Sequence, residues 1–168
     1  KGHKFIINAI SKLIDRFPNL IYLVAGKGPY LKEIKKYVNE LSLENHVVFL
    51  GWITEPEKSL VLKNSEIFAM TPTTVGESVE GFGMAFIDAA FHGIPSVGSR
   101  SGGISDAIIE DETGLLAEAG NQEEITKKLT ELLDDAELRA KLGRRGKEIA
   151  ESQYSWDNKI IEYLEAAK

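Results

Sequence analysis

The sequence predicts an α/β fold: a doubly wound parallel sheet with helices on both faces. Three observations point to it. Short apolar runs of strand length alternate with stretches of helical periodicity, and the turns where the runs end are rich in glycine. Steady alternation of this kind implies right-handed crossovers, and such sheets bind ligands at the carboxyl ends of their strands, near the switch in strand order.

Taken in order, the first element runs from Phe5 to Phe17, where Ile6, Ile10, Leu13, Ile14 and Phe17 make one buried helical stripe that Pro18-Asn19 ends. Leu20 to Ala25 is a continuous apolar run, the type expected of a strand covered on both faces, and it stops at Gly26-Lys27-Gly28-Pro29. Leu31, Ile34, Val38 and Leu41 define a second helix, and His46 to Leu50 a second strand closed by Gly51. Pro56 suits a first helical turn, and Leu60 and Leu62 lead to a short strand from Glu66 to Met70. After a loop from Thr71 to Val79, a helix reaches about Phe91, with Gly93 as its left-handed cap. Pro95 to Gly98 is a buried strand, Ser101-Gly102-Gly103 turns into a helix through Ile109, and Thr113 to Ala117 is a last strand. The remainder is helical, with breaks near Asp134-Asp135 and Tyr154-Ser155.

At 168 residues and 43% hydrophobic composition the chain can bury one ordinary core, so a single domain over 1–168 is expected. It opens in helical periodicity without an initiator methionine, as a piece of a longer protein would. There is no cysteine, and His3, His46 and His92 are far apart, so no metal centre is expected. Twenty basic against 26 acidic residues give a net charge of -6, which argues against a nucleic-acid partner held by its phosphate backbone. One local pocket on an acidic protein can still be positive, so a small phosphorylated ligand stays open. No apolar run approaches the ~20 residues that span a bilayer, and a cytoplasmic chain is expected.

The chemistry concentrates in Glu80-Gly81-Phe82-Gly83-Met84-Ala85-Phe86-Ile87-Asp88. Gly81 and Gly83 allow close backbone approach, and a helix starting there offers unpaired N–H groups and a positive dipole end, which suits phosphate oxygens. Eight residues of helix span at most ~12 Å, about the reach from a sugar across a diphosphate to a ribose. An acid at each end would then accept from adjacent hydroxyls. A helix N-terminus that simply favours an acid and a glycine turn fits the same spacing.

The ordered set of this motif with Ala89-Ala90, Gly93-Ile94-Pro95, Gly102-Gly103 and Thr113-Gly114 resembles the C-terminal donor domain of retaining GT-B glycosyltransferases, family 4 or "group 1", over nearly the whole chain. The resemblance implies a Rossmann-like half of a two-domain enzyme whose donor is a nucleoside-diphosphate sugar, GDP- or UDP-linked. It implies no cofactor, no metal, and an acceptor-binding N-terminal domain as partner in the full-length protein. Glu80 would contact donor-sugar hydroxyls, Gly81 and Phe82 would be among the donor-binding residues, the Gly83 and Met84 amides would hold the diphosphate, and Asp88 would bind the ribose. The family has Glu at that last position, and Asp is one methylene shorter. Glu77 as a rival first acid fails, because eight residues later stands Ala85.

Lys1-Gly2 matches a Lys-Gly that follows the family's first strand, where the lysine neutralises the leaving diphosphate with help from an earlier arginine. That strand and that arginine are not in this chain, and a solvated terminal lysine is the plainer reading of Lys1. In Gly51 to Lys58 the Ile53 backbone would face the base edge, with Glu55 or Lys58 reading it; a carboxylate at Glu55 suits guanine. Solvated charges at a helix start account for Glu55 and Lys58 as well. Gly26-Lys27-Gly28-Pro29 reads as a cleft wall or a simple turn, Arg100 as a phosphate ligand or a surface arginine, and Asp106 as a shortened form of a family Glu. His92 reads as a helix-end residue, and Lys141 to Lys147 as a solvated helix face. The segment 155–168 would open a C-terminal helix in which Trp156 or Tyr163 packs toward the absent domain.

Two other readings compete with transfer chemistry. One is a nucleotide-binding or structural Rossmann-like module; the other is half of a GT-B sugar-nucleotide 2-epimerase, which lacks the Glu80 to Asp88 spacing.

Overall fold

The structure, a computed structural model, describes residues 1–73, 80–155, 160 and 164. The elements are α1 (His3–Leu13), β1 (Tyr22–Ala25), α2 (Leu31–Glu40), β2 (Val47–Gly51), α3 (Glu55–Lys63), β3 (Phe68–Ala69), α4 (Met84–Phe91), β4 (Ser96–Arg100), α5 (Ile104–Ala107), β5 (Gly114–Glu118), α6 (Gln122–Asp134) and α7 (Ala136–Gln153). Strand and helix alternate as the periodicity requires, and every strand pair is parallel.

The strands form two sheets instead of one continuous sheet. One is β1-β2 and the other β3-β4-β5. Helix α1 lies against both: its buried Ile6, Ile10 and Leu13 share one core with Val24 and Val47 of the first sheet and Val97, Leu115 and Ala117 of the second. Across the second sheet Met70, Phe86, Ile104, Ile108 and Leu116 form a smaller core.

Four element expectations change. The first helix ends at Leu13, four residues early, because the residue before Pro18 is steered out of helical conformation and the chain closes in turns. The run from Leu20 yields a strand only from Tyr22, and it is not covered on both faces. Its Val24 is buried, whereas Leu23 is 37% exposed. The strand expected over Glu66 to Met70 keeps two ladder residues, since β3 pairs only with β4. The helix expected to reach Ile109 stops at Ala107, because Ile108 turns extended to bury its side chain in the smaller core.

The helix breaks at Asp134-Asp135 and Tyr154 fall where expected, and Asp135 caps α7 by accepting from the Leu138 amide at 2.8 Å. Lys141, Arg144, Arg145 and Lys147 lie on the exposed face of α7. Among the described residues no helix is long and apolar enough to cross a membrane. Glu77, Trp156 and Tyr163, with most of the 155–168 segment and of the loop before Glu80, lie outside the described residues.

Candidate functional site

The candidate residues gather at the carboxyl ends of the strands. Helix α4 begins at Gly83, whose φ of 85° is left-handed, with no side-chain cap and no acid in its first turn. Its leading amides and positive dipole end therefore meet no carboxylate within the first turn of α4, an arrangement that suits an anion. The turn before it is fixed from the next loop: the Gly103 N–H donates to the Glu80 carbonyl at 3.1 Å. A Cβ on Gly103 would stand 2.0 Å from the Gly81 carbonyl oxygen, so only glycine permits the approach. Phe82 sits beside Tyr154, ring centres 5.7 Å apart, which ties the turn to the end of α7.

Glu80 is the best sheltered acid of the motif, its side chain 18% exposed, and it forms an ion pair with Lys1. Residues 79 positions apart in sequence thus meet, and the plain solvated reading of Lys1 gives way to a specific partner. Behind Lys1, His3 Nδ1 lies 2.8 Å from the Tyr22 hydroxyl. Burial pushes the Tyr22 phenol above its ordinary range.

At the end of β2, Thr54 and Glu57 form a reciprocal capping box that starts α3, with Pro56 in its first turn. The signal for it, Thr-x-x-Glu, stands in the sequence. Lys58 then projects between two acids, 2.7 Å from Glu55 and 2.9 Å from Asp88. Hydrogen bonds to Glu55 first and Asp88 second raise its ammonium above the ordinary lysine range. His92 closes α4: its Nδ1 donates to the Asp88 carbonyl at 2.8 Å, which leaves Nε2 to accept from the Ser59 hydroxyl at 2.9 Å. The helix-end reading of His92 holds, and it also locks α3 to α4 beside Asp88.

Lys1, Ile53, Glu55, Lys58 and Asp88 all line one cavity of about 690 Å³. Ala85, next to Met84, lines it too. Trp52, to which no role is assigned from the sequence, stands at this cavity and is 74% exposed. The signal was a large aromatic directly after the strand-closing Gly51. Arg100 is not part of the cluster; it pairs with Glu110 at 2.9 Å and Glu118 at 3.2 Å. Asp106 is exposed in the first turn of α5. Among the described residues no group of three or more His, Cys, Asp or Glu is arranged to hold a metal ion.

A family model for "Glycosyl transferases group 1" matches residues 1–149. The chain belongs to the group 1 glycosyl transferases. Among similar group 1 enzymes is the GDP-mannose-dependent alpha-(1-6)-phosphatidylinositol monomannoside mannosyltransferase of Mycobacterium tuberculosis, 27% identical over 98% of this chain and 44% of its own length. The GDP-mannose-dependent monoacylated alpha-(1-6)-phosphatidylinositol monomannoside mannosyltransferase of Corynebacterium glutamicum is 31% identical over 94% of this chain and 41% of its own. The group 1 chain described here thus spans less than half the length of these relatives. In structure it is similar to Anabaena HepE in complex with UDP and glucose, with a TM-score of 0.86 and 22% identity over 100% of this chain and 45% of that one. It is also similar to the C-terminal domain of a glycosyl transferase group 1 family protein, LpcC, from Francisella tularensis. There the TM-score is 0.80 at 24% identity over 93% of this chain and 80% of that domain. The fold is that of the Rossmann-like C-terminal half of GT-B glycosyltransferases.

Proposed function

We propose that this chain is the donor-binding domain of a retaining, metal-independent glycosyltransferase that transfers a hexose from a nucleoside-diphosphate sugar and is inactive without its acceptor-binding domain. The observation that carries the reading is the Lys1–Glu80 pair beside the open N-terminus of α4. One cation and a row of backbone amides suit a diphosphate, and one sheltered carboxylate suits sugar hydroxyls. In the full enzyme, negative charge growing on the leaving diphosphate would be met by Lys1 and the Gly83 and Met84 amides, an electrostatic device that needs no metal. Glu80 positions the sugar. Asp88 accepts from the ribose, and the segment from Ile53 to Lys58 meets the base.

GDP is the base-bearing leaving group the chain supports best. Glu55 is exposed at the cavity and able to accept the paired N–H donors of guanine, and the relatives named above are GDP-mannose-dependent. The experiment is calorimetric titration of GDP, UDP and ADP, then of their hexose conjugates, into the protein and its Glu80→Ala variant. The reading predicts GDP binding to both proteins, with the extra affinity contributed by the sugar present only in the parent. No nucleoside diphosphate bound at millimolar concentration would sink it. UDP binding better than GDP would transfer the donor to the uridine class that HepE holds.

A further inference from the structure

Helix α3 begins at the cavity with Glu55 and Lys58, and little apolar packing fixes where that end of the helix stands. Among the described residues of α3 only Leu62 is buried, against Ala89 and Ile94 with Phe68 beside them. That anchor lies about one turn past Lys58 and about two turns past Glu55, in the C-terminal half of the helix. Glu55, Pro56 and Glu57 are exposed, so burial does not hold the N-terminal half.

Two polar contacts hold it instead, and both lead to one residue of α4. Lys58 Nζ donates to the Asp88 carboxylate at 2.9 Å. The next residue, Ser59, donates to His92 Nε2 at 2.9 Å, and the His92 ring is itself oriented by its Nδ1–H on the Asp88 carbonyl at 2.8 Å. Neighbouring residues of α3 are thus registered to the side chain and to the main chain of the same acid. A helical serine has a ready acceptor in the carbonyl four residues back, and Ser65 uses it, donating to Val61 at 2.8 Å. Ser59 reaches across to His92.

The two contacts differ in how readily they are given up. The Lys58–Asp88 pair is about one-third exposed on both sides, and Lys58 has a second acid in Glu55 at 2.7 Å, so salt screens the pair and the lysine can change partners. The Ser59–His92 bond joins a hydroxyl to an accepting imidazole nitrogen and is partly buried. With no charge on either side, salt leaves it in place.

We propose that His92 is a positioning residue for donor recognition: its bond to Ser59 keeps the N-terminal half of α3 seated on α4 when a ribose hydroxyl competes with Lys58 for Asp88. The proposal rests on the donor reading given above, in which Asp88 accepts from the ribose and the segment from Ile53 to Lys58 meets the base. His92 touches no ligand in this role. It fixes the separation between the ribose acid and the base segment at the moment the ion pair joining them loosens.

The test compares His92→Phe, which keeps a ring but cannot accept, with His92→Gln, whose side-chain oxygen can accept from Ser59 in place of Nε2. In the free 168-residue chain, residue-resolved amide exchange at Lys58, Ser59 and Leu60 should quicken about fivefold in His92→Phe, as loss of one hydrogen bond does, and stay near the parent rate in His92→Gln. Amides of α2 are the reference. In about 1 M salt the parent should keep this protection, whereas His92→Phe, left with the ion pair alone, should lose most of what remains. Calorimetry should show GDP bound about fivefold more weakly by His92→Phe, with inorganic diphosphate bound as by the parent and GDP affinity restored in His92→Gln. Exchange in His92→Phe equal to the parent at both salt concentrations would overturn the proposal. So would equal losses in the Phe and Gln variants, or equal weakening of GDP and diphosphate. A parent that binds diphosphate but not GDP would overturn the donor reading, and with it the binding role given to His92, while the exchange rates still decide whether His92 seats α3.

Discussion

Lys58 Nζ lies 2.9 Å from Asp88 Oδ2, and the two side chains are about equally half-buried. The acid proposed for the ribose is thus already engaged on one oxygen by a lysine that also holds Glu55. Because Asp is short, the Lys58 pair and a ribose hydroxyl must share one carboxylate at its fixed depth on α4. Asp88→Asn is expected to weaken GDP binding about tenfold, as loss of one charge-assisted hydrogen bond does, while inorganic diphosphate binds as before. Equal losses for both ligands would show that Asp88 acts on the phosphates or the fold.

Lys1 and Glu80 carry opposite charges toward different parts of a donor, so their variants should separate. Lys1→Met is expected to weaken GDP and inorganic diphosphate alike, by roughly tenfold at low salt and less at high salt, because the contact is a partly exposed charge pair. Glu80→Gln keeps the shape and removes the charge. It should leave GDP affinity unchanged or slightly improved, since Lys1 is released, while the hexose conjugate loses its advantage. Calorimetry at two ionic strengths reads both.

The turn that presents the α4 amides depends on Gly103, which touches the Gly81 carbonyl from a different loop. Gly103→Ala forces a methyl into that contact, and overpacking of this kind costs about 1–3 kcal/mol. A fall of ~6 °C in thermal midpoint is expected for a chain of this size. GDP binding should weaken with it, because the displaced loop is the one that bears Glu80. A variant with wild-type stability and binding would show that the Gly81 loop yields freely.

Local signals carried most of the fold. Helical periodicity found α1 and α2, and the glycines after Ala25, Arg100 and His92 marked the ends of their elements. What periodicity could not convey was coverage. Leu23 reads as a core strand residue and is 37% exposed, because the neighbour that would cover it is not encoded in its own segment. The motif from Glu80 to Asp88 was legible as a helix start with two acids. Its partners were not, since Lys1 and Lys58 reach it across 79 and 30 residues, and a spacing rule along one helix holds no information about such contacts. Trp52 escaped for the same reason: only the folded cavity gives an exposed aromatic a place.

His3 offers a pH signature for the root of the Lys1 arm. Burial first, then the positive charges of the amino terminus and the Lys1 side chain, hold its imidazole below the ordinary histidine range. The unfolded chain takes up a proton on this residue as pH falls through about 6.5, whereas the folded chain does so only lower. Between those two points the unfolded state binds more protons, so stability is full above about pH 6.5 and is lost as pH falls toward the folded value. The slope stays below about 1.4 kcal/mol per pH unit, the limit for one fully linked group. Partial exposure of His3 reduces it further. Thermal midpoints measured from pH 7.5 to 5 should fall more steeply for the parent than for His3→Gln. Parallel curves would mean that His3 titrates as it does in the unfolded chain, and that its 2.8 Å contact with Tyr22 does not shield it from solvent.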